Sequence, residues 1–232
     1  ITDLLSNVDS AWYFVYNNSD ANQELANGSL NSSSSWDSNW DSSGYPGVYW
    51  TILLSVYAND SLGNIENRNI SFYIDNSQPV IQFINPTGAL DYYNSNFSLN
   101  VIVQDNSFNY TYYNITKGGS LIQSNTTVFG PDVEHIWGDL IDVTGNEDGI
   151  YNLSVYAQDV VSNEITTSTL FILDETNPGL SVHYPVDGSY IDTSSVLFNW
   201  TTEDNISESL NCNLTVGSSL TTIGCTNSSS CS

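Results

Sequence analysis

The chain has 232 residues, 40% of them hydrophobic, which is enough to bury one or two ordinary domain cores. Its 26 acidic residues face only two basic ones, Arg68 and Lys117, so the net charge of −24 excludes binding to nucleic-acid phosphates and disfavours docking on an anionic membrane. It contains neither a run of 18 apolar residues nor a signal peptide, so we expect no membrane insertion in this segment and a chain that is mature, excised or part of a longer product.

A 99-residue internal repeat begins in the first predicted unit, residues 1–76, and continues into the second. Ser55–Ala58 recurs without a gap as Ser154–Ala157, and Asp105-Asn106 recurs as Asp204-Asn205. At the same offset a phenylalanine, an aspartate and two prolines recur: Phe72, Asp75, Pro79 and Pro86 match Phe171, Asp174, Pro178 and Pro185. An ungapped match of this length predicts tandem domains.

Aligned on this repeat, the first unit holds strands three to seven of a domain and lacks the first two. Tyr13–Asn17 resembles Tyr110–Asn114 in its leading Tyr and its closing Tyr-Asn, which predicts that the two segments are equivalent strands. Three tryptophans in or near the polar loop of this unit are candidates for stacking a sugar ring: Trp36, Trp40 and Trp50.

The middle unit, residues 77–175, consists of short alternating segments separated by Gly, Asn, Asp and Pro. Seven strands are predicted: Val80–Ile84, Phe97–Gln104, Tyr110–Ile115, Leu121–Val128, His135–Val143, Tyr151–Gln158 and Ile165–Leu173. Seven strands in about 100 residues, with no helical periodicity, predict a two-sheet antiparallel β-sandwich.

The third unit, residues 176–232, repeats only the first strands of the pattern. Val196, Phe198, Trp200 and Thr202 are predicted to take the inward positions of its second strand. Two interpretations of the incomplete outer units remain open. The chain is a window on a longer array, or it forms a head-to-tail polymer in which strands of one subunit complete the half-domain of the next.

Three motifs carry a resemblance to a known family. They are the turn Asp60–Asn64, the Gly-x-Tyr…Val-x-Ala-x-Asp strand Gly149–Asp159, and the junction Asp75–Pro79. Together they resemble the immunoglobulin-like (Big/cadherin-like) tandem repeats of prokaryotic, especially archaeal, surface proteins. The second copy departs from the turn motif, with Ser162-Asn163 where Gly63-Asn64 stands. The resemblance implies an all-β linear array of tandem immunoglobulin-like antiparallel sandwiches, as in adhesins, surface-layer proteins and extracellular filaments.

Acceptors for N-linked glycans are about twice as frequent as the composition predicts. The fourteen Asn-x-Ser/Thr sites begin at Asn17, Asn27, Asn31, Asn59, Asn69, Asn96, Asn109, Asn114, Asn125, Asn152, Asn199, Asn205, Asn213 and Asn227. Asn69, Asn114, Asn152 and Asn199 alternate with inward residues of predicted strands, so they are expected to face solvent. Heavy N-glycosylation is predicted, the alternative being accidental acceptors on a surface rich in Asn and Ser.

Acidic residues recur at the predicted domain junctions. In a sandwich of this type Asp105-Asn106 and Asp159 lie at the pole that faces the preceding unit. Asp75 stands at the end of that preceding unit. Asp174 and Asp204 take the same places at the next junction. Converging carboxylates and amides without Lys or Arg suit Ca²⁺, whereas the alternative is ordinary turn chemistry without a metal.

The remaining reactive side chains give weaker signals. Cys212 stands where the repeat has the inward Tyr113, so a buried thiol is one interpretation. An extracellular chain favours instead a Cys212–Cys225 disulfide across a hairpin, which would leave Cys231 for a partner outside this segment. His135 and His183 stand alone, without a nucleophile or a paired carboxylate motif.

Together with this resemblance, the residues predict a glycosylated, non-enzymatic, extracellular protein that, as the resemblance implies, forms or extends a filament, a surface layer or an adhesin stalk. Two alternatives remain. A carbohydrate- or cell-binding adhesin module predicts an exposed aromatic patch with a definite ligand, and spacer repeats of a larger surface enzyme predict a catalytic domain elsewhere in the gene product. The acidic composition also fits a protein adapted to a salty medium.

Overall fold

The computed structural model of the chain describes residues 7–18, 23–31, 36–45, 50–88, 90–128, 134–228 and 230–231. All of the regular secondary structure in these residues is β, as predicted, and it forms tandem immunoglobulin-like units. No helix of the length and hydropathy needed to cross a membrane occurs in the described part of the chain. Each sheet lies within one of the three predicted residue ranges.

The first unit is a single four-stranded antiparallel sheet. Its strands are β1 (Val8–Asn17), β2 (Glu24–Ser29), β3 (Trp50–Asp60) and β4 (Ile65–Ile74), in the spatial order β2-β1-β3-β4. Tyr13, Val15 and Ile52 are buried on its inner face, and Trp40 of the polar loop packs against them. Trp40 is therefore part of the small core of this unit, which contradicts its predicted role as an exposed sugar platform.

The second unit is a complete sandwich of two sheets. Its strands are β5 (Val80–Asn85), β6 (Asp91–Tyr93), β7 (Phe97–Gln104), β8 (Phe108–Lys117), β9 (Ser120–Val128), β10 (Glu134–Ile141), β11 (Gly149–Asp159) and β12 (Glu164–Leu173). One sheet has the order β10-β7-β5 and the other the order β6-β12-β11-β8-β9. All seven predicted strands are present within a few residues of their predicted ends. The short β6 was not predicted, and it pairs in parallel with β12.

The core of the second unit follows from alternation along its strands. Leu99 and Val101 on β7 and Leu153 and Val155 on β11 are completely buried, while the residues between them face outwards. The two inner faces pack together around Phe171. Because successive side chains of a strand point to opposite faces, this alternation places one apolar row of each sheet in the interface.

The third unit contains five shorter strands. They are β13 (Gly179–Tyr184), β14 (Asn199–Glu203), β15 (Ser209–Val216), β16 (Ser219–Thr226) and β17 (Ser230–Cys231), in one sheet of order β13-β14-β17 and a β15–β16 hairpin. Trp200 and Thr202 are buried and Phe198 packs against Trp200, as predicted. Val196 is 39% exposed, so the prediction was wrong for this residue, because the strand begins only at Asn199.

Strand pairing corrects the predicted alignment of β1. Tyr13 lies opposite Val56, and Tyr113 lies opposite Val155, the repeat equivalent of Val56. Tyr13 is therefore equivalent to Tyr113, and the predicted match of Tyr13–Asn17 with Tyr110–Asn114 is displaced by three residues. The strand was identified correctly, but its register was not.

The outer units leave apolar surface open that the second unit covers. Phe72 and Leu54 are only partly buried, whereas their repeat equivalents Phe171 and Leu153 are completely buried. The facing sheet β10-β7-β5 of the second unit has no counterpart among the described residues of the first unit. Among the described residues of the polar loop, Trp40 packs against the inner face of β1–β4.

The hairpin tips of the first two units share one backbone conformation. Gly63 has φ of 87° and Ser162, its repeat equivalent, has φ of 74°, both in the left-handed region. The N–H of Gly63 donates to the carbonyl of Asp60 (3.1 Å), and the N–H of Ser162 donates to that of Asp159 (3.3 Å). A side chain in this region crowds its own backbone, so Ser162 is strained where Gly63 is not.

We predict that Ser162→Gly stabilises the second unit by about 0.5–1 kcal/mol, because it removes this strain at a small cost in chain entropy. The matched variant Gly63→Ser should destabilise the first unit by a similar amount. No atom lies close enough to Gly63 to clash with an added side chain, so only the strain of the left-handed backbone remains. Denaturant unfolding of both variants checks the pair, and a stability loss in Ser162→Gly would contradict it.

Candidate functional site: the acidic seams between units

The structure brings together three aspartates at the seam between the first and second units. Asp75 directly follows β4, Asp105 directly follows β7, and Asp159 ends β11. One carboxylate oxygen from each lies within 4.8 Å of those of the other two, and the residues are only 7%, 8% and 1% exposed. Asn106, predicted to join them, is exposed.

Two serines hold these carboxylates in place. The Ser107 hydroxyl donates to Oδ2 of Asp75 (2.6 Å), and its backbone N–H donates to Oδ1 of Asp105 (2.7 Å). Ser77 donates to Oδ1 of Asp75 from both its N–H (3.0 Å) and its hydroxyl (2.6 Å). Sequence reasoning missed these serines, although the repeated triplet Asp-Asn-Ser at 75–77 and 105–107 was a visible signal.

The third carboxylate belongs to the hairpin tip after β11. Oδ1 of Asp159 accepts the backbone N–H groups of Val161 (2.9 Å) and Asn163 (2.8 Å). The Asn163 side chain donates to Oδ2 of Asp159 (2.7 Å) and also to the backbone carbonyl of Asp75 (3.1 Å). This amide therefore joins the tip of the second unit directly to the end of the first.

The same turn exists in the first unit without the triad. Oδ1 of Asp60 accepts the N–H groups of Leu62 (2.9 Å) and Asn64 (2.8 Å), and the Asn64 side chain donates to Oδ2 (2.7 Å). The turn thus forms from local hydrogen bonds alone, and only the seam places two further carboxylates beside it.

The electrostatics of the seam are those of buried acids without a base. Burial raises the pKa of Asp105, and the nearby carboxylates of Asp75 and Asp159 raise it further against the hydrogen bonds from Ser107. Burial also acts to raise the pKa of Asp75, but the hydrogen bonds from Ser107 and Ser77 outweigh it and leave this pKa below its usual value.

Neither basic residue compensates these charges. Arg68 pairs with Glu66 on the exposed surface of β4, and Lys117 pairs with Glu147 near the opposite end of the second unit. The Lys117 ammonium also donates to the carbonyls of Glu147 and Asp148 (both 2.9 Å).

The donor set of the first seam fits a hard cation. All of its candidate ligands are oxygens, and two oxygens that bind one Ca²⁺ at 2.3–2.6 Å lie at most about 5 Å apart, a limit that the three carboxylates meet. A divalent cation would also offset the repulsion that raises the pKa of Asp105.

The second seam is built differently. Asp148 accepts the backbone N–H of Glu175 (2.7 Å) at Oδ1 and the side chain of Asn205 (2.6 Å) at Oδ2, so it connects the second unit to the linker and the third unit. These bonds and one from the Thr176 side chain, which has the largest effect, lower the pKa of Asp148 to about 2. Nothing in the sequence had distinguished this residue.

Asp174 and Asp204, the predicted acids of this seam, line one cleft. Oδ1 of Asp174 is buried and has no hydrogen-bond partner in the described structure. Burial raises its pKa, and the carboxylates of Asp204 and Asp148 raise it further. Oδ1 of Asp204 accepts the N–H groups of Ile206 (2.9 Å) and Ser207 (2.6 Å).

None of the fourteen glycan acceptors is buried. Seven are exposed, namely Asn27, Asn31, Asn69, Asn96, Asn125, Asn205 and Asn213, and the others are half-buried. Two acceptor amides already have structural contacts. The Asn205 side chain donates to Asp148, and that of Asn227 donates to the carbonyl of Asp204 (2.5 Å), so a glycan on either would have to replace the other hydrogen of the amide nitrogen.

The cysteine pairing differs from the prediction. Cys225 is disulfide-bonded, whereas Cys212 is a free thiol next to Trp200, so the predicted Cys212–Cys225 bridge is wrong. Cys212 takes the inward position that Tyr113 holds in the second unit and belongs to the small core. The side chains of Cys231, His135 and Trp50 lie outside the described residues.

No family model and no curated protein matches the chain. It is similar to a solved tetra-tandem repeat in the extending region of a large adhesion protein, with 19% identity and a TM-score of 0.40 over 98% of this chain and 58% of that one. It is also similar to BcpA, the major pilin subunit of Bacillus cereus, with 8% identity and a TM-score of 0.29 over 97% and 79% of the two chains. These values concern the fold alone.

We predict that acid loosens the second seam through Asp148. Its folded pKa of about 2 lies below that of an unfolded Asp, so its contribution is complete above about pH 4 and is lost as the pH falls through about 2. Inter-unit distances from paired spin labels should broaden over this interval in the natural chain, whereas Asp148→Asn should be broad already at pH 5. Asp187→Asn, which removes an exposed carboxylate of the third unit, is the control. Equal widths for Asp148→Asn and the natural chain at pH 5 would contradict the role.

Proposed function

We propose that this chain is a structural extracellular repeat protein that forms or extends a cell-surface filament, surface layer or adhesin stalk, of the immunoglobulin-like kind found on archaeal and other prokaryotic surfaces. The first seam is the observation that carries the proposal. A protein that transmits load or holds distance needs junctions that resist bending, and here side chains bridge consecutive units. The adhesion protein and the pilin named above belong to the same class of surface proteins. What supports the proposal is the set of repeats and seams in this chain.

Mechanically, the linker of the first seam has little freedom. The backbone carbonyl of Asp75 accepts a hydrogen bond from Asn163, and its carboxylate accepts one from Ser107. Two loops of the second unit are thus hydrogen-bonded to the end of the first. Pro79, the last residue of the linker 75–79, is buried and has a fixed φ. Tension applied to β4 therefore passes into the second sandwich through several hydrogen bonds at once.

A Ca²⁺ ion would complete this junction. Asp75, Asp105 and Asp159 would hold it, and its charge would replace repulsion between three buried carboxylates by attraction to a common centre. The ion would then couple three chain segments that are far apart in sequence, which is the effect needed to stiffen an array.

We predict that Ca²⁺ raises the melting temperature of the natural chain and that EDTA reverses the increase. Asp159→Asn should abolish the response, because it removes one of three carboxylates at the seam. The matched variant Asp60→Asn alters the same turn in the first unit, outside the triad, and should keep the response. A melting temperature that is insensitive to Ca²⁺ and EDTA would contradict the cation site but not the hydrogen bonds of the seam.

Because the chain has few Lys and Arg residues, neutral groups must keep much of its surface solvated. N-linked glycans would provide such groups. The acceptors are distributed over all three units and none is buried. We expect the intact mass of the native protein to fall on chemical deglycosylation by the mass of many glycans, with exposed acceptors such as Asn69 and Asn213 occupied. A mass that does not change would refute the glycoprotein proposal.

The open inner faces favour self-association or continuation of the array. Leu180, Val182 and Trp200 line a cavity of about 380 Å³ in the third unit, at the place where the hairpin β11–β12 fills the second unit. We propose that a hairpin of the β11–β12 type covers it, supplied by further repeats or by a second subunit through strand addition.

A carbohydrate- or cell-binding adhesin module is the second candidate. The observation that favours it is a set of half-buried aromatic side chains on the outer face of the first unit, Trp12, Phe14, Tyr16 and Tyr57, because such a face can stack a sugar ring. Spacer repeats of a larger surface enzyme would have the same seams and would leave the catalytic site elsewhere.

A further inference from the structure

The outer face of the first unit carries an aromatic cluster. Trp12 and Phe14 on β1 alternate with the inward Ala11, Tyr13 and Val15. The Trp12 ring stacks on that of Tyr57 from β3, with centroids 5.6 Å apart and an interplanar angle of 6°. Phe14 meets the edge of Tyr57 at 5.8 Å and stacks on Tyr16 at 5.9 Å. A connected aromatic surface thus lies on the face opposite the core.

Two glycan acceptors flank this cluster in one cross-strand row. Asn27 on β2 lies directly opposite Phe14, Phe14 lies opposite Ser55, and Ser55 lies opposite Asn69 on β4. Both asparagines are exposed, and each begins an acceptor sequence, Asn27-Gly28-Ser29 and Asn69-Ile70-Ser71. The row therefore runs acceptor, aromatic, serine, acceptor across the four strands.

We propose that the glycans on Asn27 and Asn69 fold back over this face, so that their first sugar rings stack on Phe14 and Tyr57. This inference rests on the proposed glycosylation and assigns the aromatic face to the protein's own glycans. Directly opposite side chains lie about 5 Å apart and diagonal ones about 7–8 Å apart, so Asn27 reaches Phe14 and Asn69 reaches Tyr57. The C–H face of a pyranose ring is apolar and complements the negative face of an aromatic ring.

The second unit repeats the stacked aromatic pair at equivalent strand positions, while its acceptor Asn114 takes the strand position of Phe14. Tyr112 stacks on Tyr156 with centroids 4.8 Å apart, and Tyr156 is the repeat equivalent of Tyr57. The acceptor Asn114 lies two residues beyond Tyr112, on the same face, and opposite Ser154. The residue types differ between the units, but both combine a stacked aromatic pair with an adjacent acceptor.

A glycan on Asn27 is compatible with the hydrogen bond that this side chain already makes. The side-chain nitrogen of Asn27 donates to Glu24, and because this nitrogen has two hydrogens it can carry a sugar on one valence and retain that bond. Two glycans on opposite edges of the cluster would also exclude another sheet or a separate carbohydrate from it. We therefore assign the site to intramolecular glycans in preference to an external ligand.

A double-mutant cycle on the glycosylated protein tests the inference. Asn27→Gln should lower the melting temperature by about 2–4 °C in the natural background and by much less in Phe14→Ala, because the ring that the sugar contacts is then missing. Asn31→Gln, which removes an exposed acceptor outside the row, should behave alike in both backgrounds. Sugar C–H protons at Asn27 should also show upfield ring-current shifts that Phe14→Ala removes.

The outcomes separate this inference from the proposed glycosylation. Glycopeptide mass spectrometry establishes whether Asn27 and Asn69 are occupied. Unoccupied acceptors overturn the glycan proposal and this inference together. Occupied acceptors with purely additive Asn27→Gln and Phe14→Ala effects, and unshifted sugar protons, overturn the stacking alone. Coupling at Asn27 with none at Asn31 supports it.

Discussion

The junction between units depends on the amide of Asn163. Its nitrogen donates both to the carboxylate of Asp159 and to the backbone carbonyl of Asp75, so one side chain fixes the hairpin tip and the preceding unit at the same time. Ser107 adds a second bridge to Asp75 from the loop after β7. Since backbone and side chain of Asp75 are both held, the linker cannot pivot without breaking bonds that are shielded from water, where each bond is worth more than at the surface.

Much of this arrangement could be predicted because two independent periods in the sequence agree. Alternation of apolar residues defined the strands of the second unit, and the 99-residue offset transferred them to its neighbours. The sandwich topology then placed Asp75, Asp105 and Asp159 at one pole, where the structure finds them. The serines and Asn163 that orient these carboxylates were not identified, because turn residues of these types are common whether or not they bridge two domains.

The errors arose where composition does not distinguish the two faces of a strand. Tyrosine is tolerated both inside and outside, so the Tyr-rich β1 could be slid by three residues along β8 without violating the pattern, and only the pairing of Tyr13 with Val56 fixes it. Trp40 looked exposed in a polar loop, yet it packs on a sheet face that has no opposite sheet in the described first unit. Cysteine connectivity cannot be derived from three positions in sequence, and Cys212 proved to be a core residue.

Among the described residues, the second seam lacks one element that the first seam has. Asp174 and Asp204 occupy the places of Asp75 and Asp105, but the described third unit has no counterpart of Asp159, and Oδ1 of Asp174 is buried without a partner. That counterpart belongs to the tip of a β11–β12-type hairpin. The same hairpin would fill the apolar cavity beside Trp200, so burial of the core would supply the free energy that brings a third carboxylate and the bridging amide to the seam. In the proposed array, a counterpart of the first seam would therefore be complete only when the unit that follows it has folded.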